Sequence, residues 1–256
     1  MSVKGVDLSR WQSELKISTV KASGFKFAIL RGGYTGWGDR SLNKDQKFED
    51  FYQQAKALKF PVGCYWYSCA DSKDFGLKEA KYLYKQCLKG KTFEYPIYID
   101  VEEAKWQENK RKGVTEAIIA FCEYLEGKGY YVGVYASLDW FNHEIDTARL
   151  DAYSKWVACW TKKKPDFKYK DFDMWQNSDR GRAGATTVDT DIAYVDFPAI
   201  MKKHGLNGYT KLKDIDTVAR EVIEGKWGNG EERKNKLLKA GYDYATVQKK
   251  VNAIIK

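Results

Sequence analysis

The sequence predicts an α/β protein: a closed but irregular (β/α)5(β)3 barrel followed by a small three-helix C-terminal module. Three observations carry this. Short apolar runs alternate with amphipathic segments through the first half of the chain. After Ser137 that rhythm weakens into short strands with little room for helices between the last two. From about Gly205 the composition changes to three short helical patterns. Alternation of strand and helix argues a parallel sheet with helices outside.

Taken in order, strands are expected at Val3–Asp7, Phe27–Arg31, Pro61–Tyr67, Glu94–Glu103 and Tyr131–Ala136. Helical patterns occupy Asn43–Leu58, Gly76–Leu88 and Val114–Gly127, and Gly129 reads as a helix stop. Trp156–Trp160, Asp173–Asn177 and Thr187–Thr190 complete eight strands. Gly205 and Gly208 mark a linker. Asp214 can cap a helix carrying Ile215, Val218, Val222 and Ile223; the turn Gly228-Asn229-Gly230 leads into Glu231–Ala240; Asp243 can cap a last helix carrying Val247, Val251, Ile254 and Ile255. The expected organisation is a first domain over 1–203, a linker over 204–212 and the module over 213–256.

Composition narrows the function classes. The 256 residues suffice for one large domain and a small one. No run of 18 apolar residues exists, so no transmembrane helix and no membrane partner are expected. Met1 to Arg10 carries Lys4, Asp7 and Arg10 and does not read as a secretory signal. Five cysteines fall inside predicted elements and look like reduced core thiols. With no CxxC pair and only His143 and His204, neither a metal site nor a cofactor is expected. A net charge of +9 favours an anionic partner: nucleic acid, anionic membrane or anionic cell wall. Aromatic content of 15% suits either a large core or a cleft whose rings stack on sugars.

The most informative stretch is Glu94-Tyr95-Pro96-Ile97-Tyr98-Ile99-Asp100-Val101-Glu102-Glu103. Ile97, Ile99 and Val101 alternate with Tyr98, Asp100 and Glu102, the period of a strand, so Asp100 and Glu102 share a face with carboxyls roughly 6–7 Å apart. Burying two charges is costly, so packing alone does not explain them. Chemistry in barrels sits at the C-terminal strand ends. Those ends here collect Asp7, Arg31, Tyr65, Tyr67, Asp100, Glu102, Tyr135, Trp160, Gln176 and Asp189.

The opening Gly5-Val6-Asp7-Leu8-Ser9-Arg10-Trp11-Gln12 resembles the start of glycoside hydrolase family 25 lysozymes. Phe27–Arg31, Tyr65-Trp66-Tyr67, Asp100-Val101-Glu102, Trp156-Val157-Ala158, Trp175-Gln176 and Val188-Asp189 extend the resemblance in family order over roughly residues 1–203. The tail from Val218 through Trp227-Gly228-Asn229-Gly230, Arg233 and Gly241-Tyr242-Asp243 to Gln248 resembles a CW_7 cell-wall-binding repeat, present in one copy. The resemblance implies a phage endolysin. It would cleave the β-1,4 bond between N-acetylmuramic acid and N-acetylglucosamine in peptidoglycan, after waiting in the host cytoplasm for holin-dependent release. Self-association through the tail would restore the multivalency a single repeat lacks. An internal start at Met201 would supply a free module, although an ordinary packed methionine is the plainer reading.

Glycoside hydrolysis needs an acid for the leaving oxygen and a group serving the oxocarbenium-like centre. Glu102 is the expected acid, its proton held by repulsion from an ionised Asp100. Spacing alone does not choose between retention and inversion; the resemblance favours retention with help from the substrate's acetamido group. Asp7 and Asp189 match family acids, and Glu103 is expected to face away. Arg31, Tyr65, Tyr67, Tyr135, Trp175 and Gln176 are the substrate-binding candidates. Trp227, Arg233 and Tyr242 are the wall-binding candidates, with Trp227 equally suited to the small core. Two other classes compete: a basic nucleic-acid-binding protein, disfavoured because strand-end acids repel phosphate, and a catalytically dead carbohydrate-binding barrel.

Overall fold

The computed structural model describes residues 2–169 and 171–256. The elements run β1 (Val3–Leu8), α1 (Ile17–Ala22), β2 (Phe27–Thr35), β3 (Leu42–Lys44), α2 (Phe48–Ala57), β4 (Val62–Ser68), α3 (Lys73–Leu83), β5 (Ile97–Val101), α4 (Ala104–Gln107), α5 (Arg111–Glu126), β6 (Val132–Ser137), α6 (Leu138–His143), β7 (Ser154–Ala158), β8 (Met174–Ala183), β9 (Thr186–Ala193), α7 (Phe197–His204), α8 (Ile215–Ile223), α9 (Gly230–Lys239) and α10 (Tyr244–Ile254). The strand order is β1-β9-β8-β7-β6-β5-β4-β2-β3, and a further β1–β2 pairing closes eight strands into a barrel with β3 outside it. The pairs β2–β4–β5–β6–β7–β8 are parallel, while β9 runs antiparallel to both β1 and β8. The expected irregular barrel is therefore the fold, with one strand more than the sequence reading counted.

The extra strand lies where a helix was expected to begin. Leu42–Lys44 pairs with Gly33–Thr35, and the helix starts only at Phe48. Further on, α3 gives way over Tyr84–Leu88 to a wider π-type turn, so the helical apolar period continues although the hydrogen bonding changes.

Alternation along each strand sorts side chains into two shells. Ile97, Ile99 and Val101 point outward into the main core beneath the helices, with Val114, Ile118, Phe121 and Leu125 of α5. Tyr98, Tyr65, Tyr135, Trp156 and Met174 point into the barrel with Phe27, Ile29 and Tyr95. Small residues make room for these rings. A Cβ on Gly133 would sit 2.4 Å from the Tyr98 ring, and one on Gly5 would sit 2.3 Å from Phe27. Above this aromatic plug the same inward face continues as Asp7, Arg31, Asp100 and Gln176, all under 9% exposed. The plug closes the barrel's lower interior, so the polar side chains collect at its upper mouth.

Two compact units are present. The first runs to Met201 and takes in Leu206–Tyr209; the second comprises Lys202–Gly205 and Thr210–Lys256. The second has its own core of Val218, Ala219, Val222, Leu237, Tyr242, Val247 and Val251. Asp214 and Asp243 cap α8 and α10 as the sequence predicts, each accepting the backbone N–H three residues on at 2.8 Å. Among the described residues no helix is long and apolar enough to cross a membrane.

Candidate active site

The four acids meet. A cleft of about 230 Å³ at the barrel mouth is lined by Asp7, Asp100, Glu102 and Asp189, with Arg31, Tyr65, Tyr67, Tyr135 and Gln176. Register explains the convergence. Asp7 lies opposite Asp189 across the β1–β9 ladder, while Asp100 lies between Tyr67 of β4 and Tyr135 of β6. Ser9, Trp11, Gln12 and Trp156 complete the lining. The cleft is too small to enclose a polymer.

Hydrogen bonds fix the floor. Gln176 donates through Nε2 to Asp7 Oδ2 at 2.8 Å. Its Oε1 accepts the Tyr135 hydroxyl at 3.0 Å and the Trp160 indole N–H at 3.1 Å. Trp156 donates its indole N–H to Asp191 Oδ1 at 2.8 Å. Asp191 is a fifth carboxyl that was not among the site candidates, although its two-residue spacing from Asp189 places both on one strand face. Asp100 Oδ1, Asp191 Oδ2 and one Arg31 amino group are buried without a protein partner. Such groups call for water or ligand atoms.

Crowding and burial raise the proton affinity of every acid in the cluster. Asp7 is raised well above the ordinary aspartate range by burial first and then by Asp189, against the lowering effect of Gln176. Asp191 is raised by burial and Asp7. Asp189 is raised to about 6 by burial and Asp179. Glu102 stands at the rim with solvent access, yet enough protein surrounds it that lost hydration leads in raising it to about 7, followed by the charges of Asp189 and Glu103. Its open side makes that hydration loss partial.

Two expectations about the acids are corrected here. The Glu102 proton is held first by burial and then by the charges of Asp189 and Glu103, while the repulsion between Asp100 and Glu102 falls on Asp100. The cleft's protein environment does not favour the ionised form of Asp100. It is 4% exposed and raised well above the usual range by burial, then by Glu102 and Asp7. The deeper acid takes the larger burden, because it has less water to spread its charge.

The aromatic and basic candidates divide. Tyr65 and Tyr135 line the cleft but are only 9% and 7% exposed, packed edge-on against Trp156 as walls. Tyr67 donates its hydroxyl to Glu103 at 2.6 Å. Glu103 does turn away from the cleft, but it is 5% exposed and caps α4 by accepting the Lys105 N–H at 3.0 Å. Arg31 forms a buried pair with Asp45, Nε to Oδ2 at 2.7 Å, and still reaches the cleft lining. Trp175 does not reach it. Adjacent to Gln176, it faces the opposite side of β8, lies in the outer core and donates its indole N–H to the Cys159 carbonyl at 2.7 Å. The open rings at the mouth are Trp11 and Trp160, 73% and 58% exposed.

In the second unit, Tyr242 is core rather than surface. It is 7% exposed, packs edge-on to Trp227 at 5.7 Å, and accepts the Lys213 N–H at 2.8 Å. Arg233 fastens the turn before α9, donating to the Gly228 carbonyl at 3.0 Å and to Asn229 Oδ1 at 2.9 Å. Trp227 is half-buried, donates to Glu221 at 3.1 Å, and opens onto a depression lined by Lys213, Lys226, Lys236 and Lys239.

Comparison with known proteins agrees with this architecture. The glycosyl hydrolases family 25 profile matches residues 6–185, and the CW_7 repeat profile matches residues 216–255. Lysozyme from Streptococcus phage Cp-7 is 27% identical over 198 residues, covering 76% of this chain and 56% of that one. The autolytic lysozyme of Clostridium acetobutylicum is 25% identical over 192 residues, covering 74% and 55%. The chain thus spans little more than half the length of these curated relatives. Among solved structures, the CTP1L endolysin superposes with a TM-score of 0.66 at 17% identity, over 99% of this chain and 98% of that one. A family 25 glycosyl hydrolase from Bacillus anthracis gives 0.64 at 22% identity, over 75% and 89%. Matched across well over half its length, on the barrel that carries the acid cluster, the chain belongs to glycosyl hydrolase family 25.

Proposed function

We propose that the barrel, over 1–203, hydrolyses the β-1,4 bond between N-acetylmuramic acid and N-acetylglucosamine in bacterial peptidoglycan. The observation that carries this is the convergence of Asp7, Asp100, Glu102 and Asp189 on one cleft, with Glu102 raised to about 7 where it meets solvent. A carboxyl with that proton affinity is half protonated near neutrality, as a general acid requires. Glu102 gives its proton to the bridging oxygen as the C1–O bond breaks. The substrate's acetamido N–H reaches Asp100 Oδ1, which has no protein partner, and favours the Asp100 anion. That anion orients the acetamido carbonyl for attack on C1 and balances the positive ring that results. Glu102, now a carboxylate, takes a proton from a water whose oxygen adds to C1 as the C1–acetamido oxygen bond breaks, which frees the acetamido group and restores the acid. Asp7, held by Gln176, and Asp189 bind sugar hydroxyls or the incoming water.

In this reading the module over 213–256, joined by 204–212, holds the enzyme on the wall, with Trp227 and the lysines around it offering the contact. The phage origin of one relative supports a role in host lysis, with release from the host cytoplasm depending on a holin. The experiment is turbidity loss of Gram-positive cell walls by wild type and by Glu102→Gln, with mass analysis of the new sugar ends. The substitution should lower the rate about 10²–10⁴-fold with the fold intact. Reducing ends on N-acetylglucosamine instead of N-acetylmuramic acid would refute the bond assignment.

A further inference from the structure

Beside the cleft, the segments after β2, β4 and β5 carry a ladder of rings and cations that the chemistry above does not use. The Arg40 guanidinium lies 4.2 Å from the Phe75 ring centre and 4.8 Å from that of Trp106. The Lys105 ammonium lies 5.0 Å from Trp106 and 4.8 Å from Trp37. Trp106 donates its indole N–H to the Trp37 carbonyl at 3.0 Å, and Lys105 donates to the same oxygen at 3.4 Å. Arg40 is anchored in turn by the Cys69 carbonyl and Asp71, both at 2.8 Å. The outcome is a Trp37 whose backbone carbonyl is held from α4, with the Lys105 ammonium over its ring, while the indole stays 62% exposed.

Presenting a large apolar ring to water beside the cleft gains nothing for the fold, since the exposed surface remains hydrated. A contact surface accounts for it. The chemistry of the contact follows from the ladder's charges. Arg40 is already paired with Asp71, and Lys105, still charged, has its ammonium turned to the Trp37 carbonyl and ring, so the exposed indole is the platform's apolar face. Such a face stacks on the C–H face of a neutral sugar ring. The platform is also continuous with the cleft: Lys105 and Trp106 lie in α4, directly after Glu102 and the capping Glu103.

Resting on the glycan-hydrolase reading above, we infer that Trp37, held by Lys105 and Trp106, is an accessory saccharide subsite that takes a ring of the glycan strand beyond those in the cleft. Long strands gain affinity from it and short ones do not.

The test uses the full chain carrying Glu102→Gln, with N-acetylglucosamine trimer and hexamer as stem-free probes in calorimetry. The hexamer should bind about tenfold more tightly than the trimer. Adding Trp37→Ala should abolish that difference while leaving the trimer affinity unchanged, which also reports an intact cleft. Normal trimer binding with hexamer affinity unaffected by Trp37→Ala would overturn the subsite alone. Binding of neither oligomer would overturn it together with the cleft reading. A parallel titration with a stem-bearing muropeptide completes the test: a Trp37→Ala loss confined to it would assign Trp37 to the peptide and likewise overturn the sugar subsite.

Discussion

Gln176 and Asp7, 169 residues apart in sequence, are joined by a 2.8 Å hydrogen bond from the Gln176 amide to Asp7 Oδ2 at the barrel mouth. This contact ties the first strand to the eighth and opposes the burial that drives Asp7 toward its protonated form. The same amide offers its oxygen to Tyr135 and Trp160. Gln176→Leu keeps the volume but strands three polar partners. Losing such bonds costs about 1–3 kcal/mol each way. Hydrolysis of cell walls should therefore fall roughly 10–100-fold, and more Asp7 should be protonated at neutral pH. Carbon-detected NMR titration of Asp7 checks the second outcome, which a merely loosened fold would not produce.

Asp189 is the largest charge acting on the proposed acid. Removing that charge with Asp189→Asn takes away a repulsion that keeps Glu102 protonated. The alkaline limb of kcat/KM, expected near pH 7 in wild type from the Glu102 value of about 7, should then move to lower pH. The sign follows from the acid's role: the rate is lost as Glu102 deprotonates, so a lower proton affinity means loss at a lower pH. An unmoved limb would show that Asp189 does not govern the acid.

Much of this arrangement was legible because a barrel strand repeats every two residues. The parity of Tyr98, Asp100 and Glu102 alone separates the barrel interior from the outer core, and the same count assigns Asp7, Tyr65, Tyr67 and Tyr135. Parity also carries the lesson missed at β8: Trp175 and Gln176 are neighbours, so only one of them can face the cleft. Parity does pair Asp191 with Asp189 on one strand face. Other features have no such signature. The strand Leu42–Lys44 is defined by pairing with Gly33–Thr35, a long-range fact that local propensity does not encode. The state of Asp100 depends on depth, and depth is set by all eight strands together. In the module, Tyr242 and Trp227 are both aromatic residues near turns, and only the packed core distinguishes the buried ring from the half-open one.

That core makes the module sensitive to single truncations. Its seven buried side chains stabilise only about 50 residues, a size at which net stability is typically only a few kcal/mol. Tyr242→Ala removes a buried ring, the edge contact with Trp227 and the acceptor for the Lys213 N–H. A loss of about 3–5 kcal/mol is expected for such a deletion, enough to unfold α8–α10 at room temperature. Amide hydrogen exchange should show those helices unprotected while β1–β9 keep their protection, and wall retention should fall. Full protection of α10 in the variant would contradict the core placement of Tyr242.

Glu79 is a buried carboxyl that pins the strand ends under the mouth. From α3 it accepts the Thr35 hydroxyl at 2.5 Å, the Ser68 hydroxyl at 2.6 Å and the Cys69 N–H at 3.2 Å, so β2 and β4 are both fastened to it. These bonds favour the anion, but burial outweighs them and raises its pKa to about 7 from an ordinary 4.5. A folded-state value above the unfolded one means the native protein binds this proton more tightly. The stabilisation is complete below about pH 4.5 and is lost as pH rises through about 7. The gap corresponds to on the order of 3 kcal/mol. Glu79→Gln cannot ionise, and its amide oxygen can still accept from Cys69 while the two hydroxyls rotate. Urea unfolding of wild type should therefore show a decline in stability between pH 5 and pH 8 that the variant lacks by about that amount. Parallel curves for the two proteins would mean that Glu79 is ionised throughout, and that its three donors outweigh the loss of water.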